Sequence, residues 1–592
     1  MRPSTSNTGA RGALGVAGRS IRPRTHGYSG ERQHPCARQP FSHRPPRLLL
    51  ASHRSSPRPQ LPFLYPSGAY HLSNTQLARL FSISANQKKF IRETARESVK
   101  WTLIIFFATS CFSIASLGVL SERQERAFPS PHEWSLLTRF RFRRGKWWQV
   151  PENNEEEGFP NWARVYDELQ RALSRLEDPA KDGAGLREPD GRRLLVPGVG
   201  QTGFDLDAKS GEWRQGYYEV LMGMATAAER LEGWVTTKSR RYVWAPEFVP
   251  SPTNPRPKAT LPSQLPIPDE EHRIPAADVP ETFYLKIITT HGFTTHQRMT
   301  AALAYADWLA FKQLPDSAEE MYRWALDIAV SGLPTPQPDT VINPDTQVLS
   351  ATAPREHLTP NLVYAATNLA TFHASQGNLT VALPILVSLL RARLDADPVP
   401  PKPISKPTDS SFIGTITSLL HEPEYPPLPP TGDEVLLRRP EDRCEEAALK
   451  SYIGEILFAV ADSPAGRTQG LSWVRDAVST AKTAQSIPII QSDSPLRKKC
   501  ESCEEVGLEA WGKIMTYLVA DARQRKANVE ESRLRRLWWT LWPGAIQALD
   551  KDVEDKEGEE EGVVMRLNKL RAKMLKEEYE EMDRKYARTF VF

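Results

Sequence analysis

The feature that most constrains the fold is one apolar run, WTLIIFFATSCFSIASLGVL, at residues 101–120, which carries no charged side chain. Twenty residues at a helical rise of about 1.5 Å per residue make roughly 30 Å, the thickness of the hydrocarbon core of a bilayer. Its Ser and Thr hydroxyls can bond back to the helix backbone, and Trp101 stands at one end, where interfacial aromatic side chains are common. The run predicts one transmembrane helix. The alternative is a buried core helix, which would need a domain wrapped around it.

The segment before the run has the composition of a mitochondrial transit peptide. Residues 1–81 carry twelve Arg, no Lys and a single acid, Glu31, for a net charge of +11. The tetrad RLFS resembles the matrix-processing pattern, so we expect cleavage between Phe81 and Ser82. The alternative is a disordered basic tail that binds acidic surfaces.

The charges that flank the run predict its orientation. Five basic residues precede it within the segment 82–100, whereas Arg123 and Arg126 on the other side are offset by two acids. Positive charge favours the inner side, so the N-terminal side should face the matrix and the body from Ser121 onward should face the intermembrane space. The basic stretch 139–146 makes this asymmetry modest. A single span also argues against a carrier or permease, which needs many spans.

The composition of the remaining chain limits its partners and its cysteine chemistry. The formal charge of the whole chain is +4, which leaves −7 for residues 82–592, and a mildly acidic body does not indicate nucleic-acid binding. Five cysteines are too few for a disulfide scaffold, and only Cys444, Cys500 and Cys503 lie beyond the leader and the apolar run.

Helical and proline-rich segments alternate after the apolar run, and no segment shows convincing strand alternation. Helical periodicity is clear, for example, at 159–178, 360–376 and 379–396. Ten prolines fall in 246–280 and eleven in 398–440. The expected regions are a helical membrane-proximal region at 121–245, a Pro-rich linker at 246–280, helix pairs at 281–397, a second linker at 398–440, further helices at 441–545 and a charged helical tail at 546–592.

Three helix pairs resemble tetratricopeptide repeats, in which small residues let one helix settle closely against the next. The clearest is NLATFHASQGNLTVALPILVSLL. Equivalent positions are held by Ala306, Ala370 and the unusually bulky Phe458, which are 64 and 88 residues apart instead of 34, so linkers are inserted between pairs. The alternative is an irregular helical bundle whose alanines pack well. We predict an all-α fold: a TPR-like helical-hairpin array with proline-rich insertions, preceded by one transmembrane helix.

Motifs for chemistry are weak in this sequence. GVGQTG at 198–203 matches G-x-G-x-x-G but follows a proline and precedes no helix start, so we expect a loop. Cys500 and Cys503 form a C-x-x-C without the further ligands that zinc needs; packing, a disulfide or redox role and zinc are the three alternatives, with packing favoured. His291 and His296 have no acidic neighbour in sequence and should be surface or capping residues. We expect no enzyme activity, no cofactor and no metal site.

Two C-terminal segments have open roles. RLRRLWWTLWPG at 533–544 is either a membrane-surface or partner-docking helix or the last helix that caps the array, and we favour the cap. KDVEDKEGEEEG should be a solvated charge run, and the stretch 563–586 a peripheral charged helix.

Tetratricopeptide arrays bind polypeptides in the concave groove that their first helices form. The expected groove residues are Thr300, Leu303, Asp307, Phe311, Tyr364, Thr367 and Thr371. This set lacks the Lys, Arg and Asn of a carboxylate-clamp groove, so charge-assisted capture of a C-terminal acid is not expected. An apolar, hydroxyl-lined groove suits extended or partly unfolded segments.

The segments YIGEILF, GLSWVRDAV and CESCEEVGLEAWGKIM, together with the leader and the single span, resemble a fungal inner-membrane family: the tetratricopeptide adaptor of the AAA protease that faces the intermembrane space. The resemblance implies a quality-control adaptor that binds unfolded membrane or intermembrane-space proteins and passes them to the protease. Its partners would be proteins and inner-membrane lipid, with no nucleic acid and no small-molecule substrate. The alternative is a scaffold or assembly factor for an inner-membrane complex.

Overall fold

The computed structural model describes residues 84–154, 159–187, 203–238, 242–252, 254–259, 266–335, 337–399, 425–531 and 543–589. The predicted transit segment 1–81, the predicted cleavage site between Phe81 and Ser82, and most of the stretches 198–203 and 533–544 lie outside these residues. Within them α-helix predominates, and the prediction of a helical protein is confirmed.

The α-helices are α1 Ala85–Ala127, α2 Leu136–Gln149, α3 Trp162–Leu176, α4 Gly211–Arg230, α5 Pro280–Thr289, α6 Thr295–Phe311, α7 Pro315–Ser331, α8 Pro360–Ser375, α9 Leu379–Asp395, α10 Asp442–Val460, α11 Pro464–Gln485, α12 Pro488–Ser492, α13 Ser494–Glu531 and α14 Pro543–Thr589. Short 3₁₀ helices lie at Pro151–Asn153, Glu270–His272, Pro338–Thr340 and Arg355–His357.

Helix α1 contains the apolar run and is long and apolar enough to cross a membrane, with a mean hydropathy of 2.2 over its most apolar window. It begins with reciprocal hydrogen bonds between Ser84 and Gln87, a capping box. The Thr109 and Ser113 hydroxyls donate to backbone carbonyls one turn earlier, as predicted. None of that window is buried by the rest of the described chain, so the alternative of a buried core helix is wrong.

The helices from α2 to α10 share one continuous hydrophobic core. Each of them packs against the next in sequence, and buried side chains connect Trp134 at one end to Ile456 at the other. The region 121–245 is therefore packed directly onto the helices after 280, and the stretch 246–280 does not separate two bodies. The sequence cannot show this, because a proline-rich stretch reads the same whether it links two domains or covers the edge of one.

Among the described residues, five two-residue strands lie at the edge of this core. Strand β1 (Val235–Thr236) pairs antiparallel with β2 (Val243–Trp244) and with β3 (Ile274–Pro275), and β4 (Asp397–Pro398) pairs in parallel with β5 (Leu437–Arg438). Two residues are too few for alternation to be visible in the sequence, which is why none was predicted. The strands join the ends of the proline-rich stretches to the helical body.

The three proposed repeat pairs differ in their packing. Ala306 and Ala370 are fully buried where α6 and α8 meet their neighbours. Phe458 is half-buried and packs edge-on against Tyr517 of α13, with ring centroids 5.6 Å apart. Helices α10 and α11 approach each other closely at Gly470, where an added Cβ would lie 2.6 Å from the backbone nitrogen of Phe458. The tetratricopeptide geometry itself stays a prediction.

The C-terminal tail is an integral part of the fold. Helix α14 runs antiparallel to α13 and buries Val563 and Leu570 against Val478 and Leu508. Ion pairs connect the two helices and α11, among them Arg475–Glu559, Arg571–Glu505, Lys573–Glu501, Arg497–Glu577 and Lys498–Glu581. The predicted charged helix at 563–586 is confirmed, and most side chains of the tail are exposed or half-buried. The expectation that this helix is peripheral is wrong, because Val563 and Leu570 are buried and its charges meet residues far away in sequence.

Candidate functional site

Helices α4, α6 and α8 lie side by side, since α4 contacts α6 and α6 contacts α8. Their starts are fixed by local caps. The Ser210 hydroxyl caps α4, Thr294 and Gln297 form a capping box at α6, and the Thr359 hydroxyl caps α8 just before a proline at the first helical position. Helices α6 and α8 carry the predicted groove residues, and α4 lies beside them.

Six of the seven predicted groove residues are at least partly accessible. They are Thr300, Asp307 and Phe311 of α6 and Tyr364, Thr367 and Thr371 of α8. Phe311 and Tyr364 are the most apolar of them, with 78% and 47% of their surface exposed. Leu303 is wrong as a groove residue, because it is only 4% exposed. It lies three residues before the buried Ala306 and shares that inward-facing side of the helix.

The threonine hydroxyls of the groove are not free donors. Thr300 donates to the backbone carbonyl of His296, and Thr367 donates to that of Val363. Thr371 donates in the same way within α8. A bound polypeptide would therefore meet these hydroxyls as hydrogen-bond acceptors, which suits backbone N–H groups.

Helix α4 contributes a wall that the sequence analysis did not identify. The Tyr218 hydroxyl makes a hydrogen bond with the Thr300 side chain, and Tyr364 lies close by. Burial raises the pKa of Tyr218 to about 12. The sequence carried no signal for this contact. A proline-rich stretch separates α4 from α6 in the chain, and the segment of α4 shows no repeat pattern.

A cavity of about 340 Å³ opens between α4, α5 and α6 and includes two of the predicted groove residues. It is lined by Met222, Thr226, Glu229, Arg230, Tyr284, Ala304, Asp307, Trp308 and Phe311. The Tyr284 hydroxyl donates to Glu229 at 2.7 Å, and the Tyr322 hydroxyl donates to Asp307. Desolvation raises the pKa of both carboxyl groups. Tyr284, Trp308 and Phe311 give the cavity aromatic walls against which an apolar or aromatic side chain would pack, and the charged residues make the rest of the lining polar.

Residues 425–436, YPPLPPTGDEVL, form a segment that we call the strap. It is an extended, proline-rich piece of the chain that lies at the N-terminal ends of α4, α6 and α8. Leu428 packs at the first residue of α4, where a Cβ on Gly211 would be 2.5 Å from its side chain. The Leu436 N–H donates to the backbone carbonyl of Leu358 at 2.7 Å. Burial near Glu219 of α4 raises the pKa of Tyr425.

Asn361, in the first turn of α8, holds the strap with its whole amide group. Its Nδ2 donates to the Thr431 carbonyl and to Asp433 Oδ1, both at 2.9 Å, and its Oδ1 lies 2.8 Å from His296 Nδ1. Its backbone N–H donates to the Gly432 carbonyl at 3.2 Å. The side chain is buried, so it connects the first turns of α6 and α8 to the strap.

Gly432 is required at the turn of the strap for two reasons. Its φ of +75° is a conformation that residues with a Cβ rarely adopt. A Cβ would also lie 2.2 Å from Asn361 Oδ1. The TGD turn after four prolines was the sequence signal that could have marked this attachment.

The two histidines differ in their environments: His291 is a surface residue, as predicted, whereas His296 is half-buried. His296 is half-buried on Asn361, while exposed His291 lies near Asp205 and Asp207, with Nδ1 3.1 Å from Asp207 Oδ2. His291 has no acidic neighbour in the sequence, but a backbone bridge brings it beside Asp205. These three groups could hold a cation, but such exposed clusters are common without one.

Cys500 is bonded to Cys444, and not to Cys503. The disulfide joins α10 to α13 across a sequence separation of 56, with a Cα–Cα distance of 5.1 Å, and both cysteines are buried. Cys503 is a free thiol in the same apolar cluster, and burial raises its pKa. The favoured alternative of packing therefore describes Cys503, whereas Cys500 forms a bridge between helices, and no spacing rule could indicate its partner.

Groove, cavity, strap and disulfide are thus the features of the described residues that bear on function. Comparison of the chain with protein-family models, with curated proteins and with solved structures found no match.

Proposed function

We propose that this protein is a membrane-anchored adaptor that binds extended polypeptide segments and performs no catalysis itself. The strap is the observation that carries this proposal. An extended, proline-rich chain already lies at the ends of α4 and α8 and is held through both its backbone carbonyls and a buried amide side chain. Binding of extended, proline-rich peptides to aromatic-lined grooves is a recurring mode of recognition, and the strap is an intramolecular example of the kind of chain that we propose this surface binds.

The groove next to the strap supports the same role. Tyr364 and Phe311 supply exposed aromatic surface, and aromatic side chains dominate the binding energy of many interfaces. The threonine oxygens can accept bonds from the backbone of any sequence, while the cavity beside Asp307 accepts one side chain. This combination favours unfolded or extended clients over a single folded surface.

We further propose the mitochondrial inner membrane as the location, with the body in the intermembrane space and an AAA protease as the partner that receives the clients. The basic leader, the one apolar helix and the adaptor resemblance support this proposal. The disulfide between Cys444 and Cys500 supports a compartment where thiols are oxidised, since structural disulfides are rare in reducing compartments.

Binding to an unfolded chain tests the groove. Full-length protein in lipid nanodiscs would be titrated with a fluorescent, reduced and alkylated lactalbumin, which cannot fold. The variant with Phe311→Ala and Tyr364→Ala should bind at least about tenfold more weakly, since truncating a hot-spot residue costs about 2 kcal/mol or more. The control variant with Val387→Ala and Leu394→Ala, two exposed aliphatic residues on α9, should bind like wild type. Equal losses in both variants would refute the groove.

Crosslinked affinity purification of the tagged protein from mitochondria, followed by mass spectrometry, tests the partner. An AAA protease recovered with scattered membrane-protein clients is the expected result. A stoichiometric set of subunits from one complex, without affinity for unfolded lactalbumin, would replace the adaptor by a scaffold or assembly factor.

A further inference from the structure

Helix α2 presents an apolar face that no described part of the chain covers. Leu136, Leu137 and Phe140 are 78%, 47% and 39% exposed. They share one side of the helix, whereas Thr138 and Phe142 on the other side are buried against the body. A soluble surface rarely leaves three neighbouring large apolar residues unpartnered.

This helix is tied to the end of the predicted span. Arg143 donates to the backbone carbonyl and to the hydroxyl of Ser121, each at 3.1 Å, and pairs with Glu125. Arg139 pairs with Glu125 at 3.1 Å. Glu125 and Arg143 are buried, so salt screens their ion pair much less than an exposed one. Ser121 directly follows the apolar run, and α2 therefore lies within about one or two helical turns of the bilayer boundary.

The occupant of the apolar face is argued from its place in the chain. The body that covers Thr138 and Phe142 follows the span, and the exposed face of α2 is directed away from that body. Because α2 is tied to the residues that directly follow the apolar run, the bilayer that α1 crosses is the nearest apolar phase for this face. A helix that lies in the interface with its apolar side buried among the headgroups has this arrangement.

The basic residues of α2 are engaged by the body. Arg141 and Arg144 both pair with the buried Glu168, and Lys146 pairs with Glu219. Attraction to anionic lipid would therefore contribute little, and the apolar side chains would supply the binding energy. An electrostatically bound helix would instead leave such residues free.

We propose that the face formed by Leu136, Leu137 and Phe140 is a lipid-binding surface that rests in the headgroup region of the same bilayer that α1 crosses. The inference rests on the membrane anchor of the proposed function. Its consequence is that α2 sets the tilt and rotation of the body on the membrane and so holds the groove in one orientation.

The test measures the depth of single fluorophores in nanodiscs. Full-length protein, with all cysteines outside the disulfide changed to serine, would carry an NBD label at Leu137→Cys, at Phe112→Cys in the span or at Leu394→Cys on α9. Lipids with a quencher near the headgroup or near the chain end report depth. Position 137 should lie roughly 5–10 Å into the boundary between headgroups and acyl chains. Position 112 should lie deeper, and position 394 should not be quenched.

The outcomes separate the inference from the anchor. Quenching at 112 without quenching at 137 would overturn the lipid-binding face and leave the anchor intact. No quenching at position 112 would show that α1 does not enter the bilayer. That result would refute both the membrane anchor and the lipid-binding face. Shielding of 137 only after mitochondrial extract is added would show a protein interface and overturn the inference as well. The depth at 137 should be the same at low and high salt, and its loss at high salt would contradict the apolar character of the contact.

Discussion

Replacing Asn361 by Ala should release the strap. The substitution removes both amide hydrogens, one bonded to the Thr431 carbonyl and one to Asp433, and the oxygen that faces His296. It leaves the backbone bond from residue 361 to Gly432 in place. The strap would then be held by packing and by two backbone bonds, the one from residue 361 to Gly432 and the one from Leu436 to Leu358.

The expected magnitude follows from these bonds. A neutral hydrogen bond contributes about 0.5–1.5 kcal/mol and one to a charged group about 1.5–3 kcal/mol, so the loss should be roughly 2–4 kcal/mol. Since about 1.4 kcal/mol is a factor of ten, the strap should open roughly 30 to 700 times more often. The strap lies at the edge of the core, so the change should be local and the core helices should keep most of their protection.

Hydrogen exchange followed by mass spectrometry measures this opening in peptides that cover residues 425–438. The matched control is Asn368→Ala on the same helix, whose side chain donates only to the Tyr364 carbonyl. Gly432→Ala should loosen the same peptides by a second route, because it strains the turn and crowds Asn361. Unchanged exchange in the Asn361→Ala variant would refute the attachment of the strap, and the proposed function would lose its main support.

Three further predictions concern stability. Replacing Cys444 and Cys500 together by Ser should lower the free energy of unfolding by about 4 kcal/mol, given the length of chain that the bridge closes; identical urea midpoints with and without the bridge would contradict it. Leu570→Ala should cost about 2–5 kcal/mol because the side chain is buried against α13, whereas Leu575→Ala, at a 53% exposed position of α14, should cost less than about 0.5 kcal/mol; equal melting temperatures of the two variants would make α14 peripheral after all. Burial alone would raise the pKa of Glu125, but hydrogen bonds from its neighbours and the adjacent arginine charges outweigh it and lower that pKa. The Glu125 carboxylate should therefore stabilise the fold above about pH 4.3, and this contribution should be lost in more acidic solution; thermal melts of Glu125→Gln should differ from wild type at neutral pH and converge with it in acid, and a gap that does not change with pH would refute the assignment.

Local patterns predicted the elements of this protein well. Helix α8, expected at 360–376, spans Pro360–Ser375, and α9, expected at 379–396, spans Leu379–Asp395. Periodicity and caps act within a few residues, so they are visible in the sequence. Six of the seven predicted groove residues lie at accessible positions of α6 and α8, and their role in binding stays a prediction. The prediction for Leu303 was wrong because a side chain on a helix can face either the groove or the core. Only the packing of the neighbouring helices decides which.

The features that carry the functional argument depend on residues far apart in the chain. The amide of Asn361 contacts the strap about 70 residues later in the chain. Cys500 is bonded to Cys444, which is 56 residues away, and Lys573 of the tail pairs with Glu501, which is 72 residues away. Each of these contacts forms because packing of the helices brings two surfaces together, and the sequence holds no local record of that packing.

The sequence by itself determined the helical class and the apolar helix, because hydrophobic periodicity and length act through short-range geometry. Only the tertiary structure decided that the proline-rich strap is held at the groove, that the charged tail belongs to the fold and that α2 turns an apolar face outward beside the span. Those outcomes depend on which side chains lose contact with water when the helices pack, and this is a property of the assembled chain.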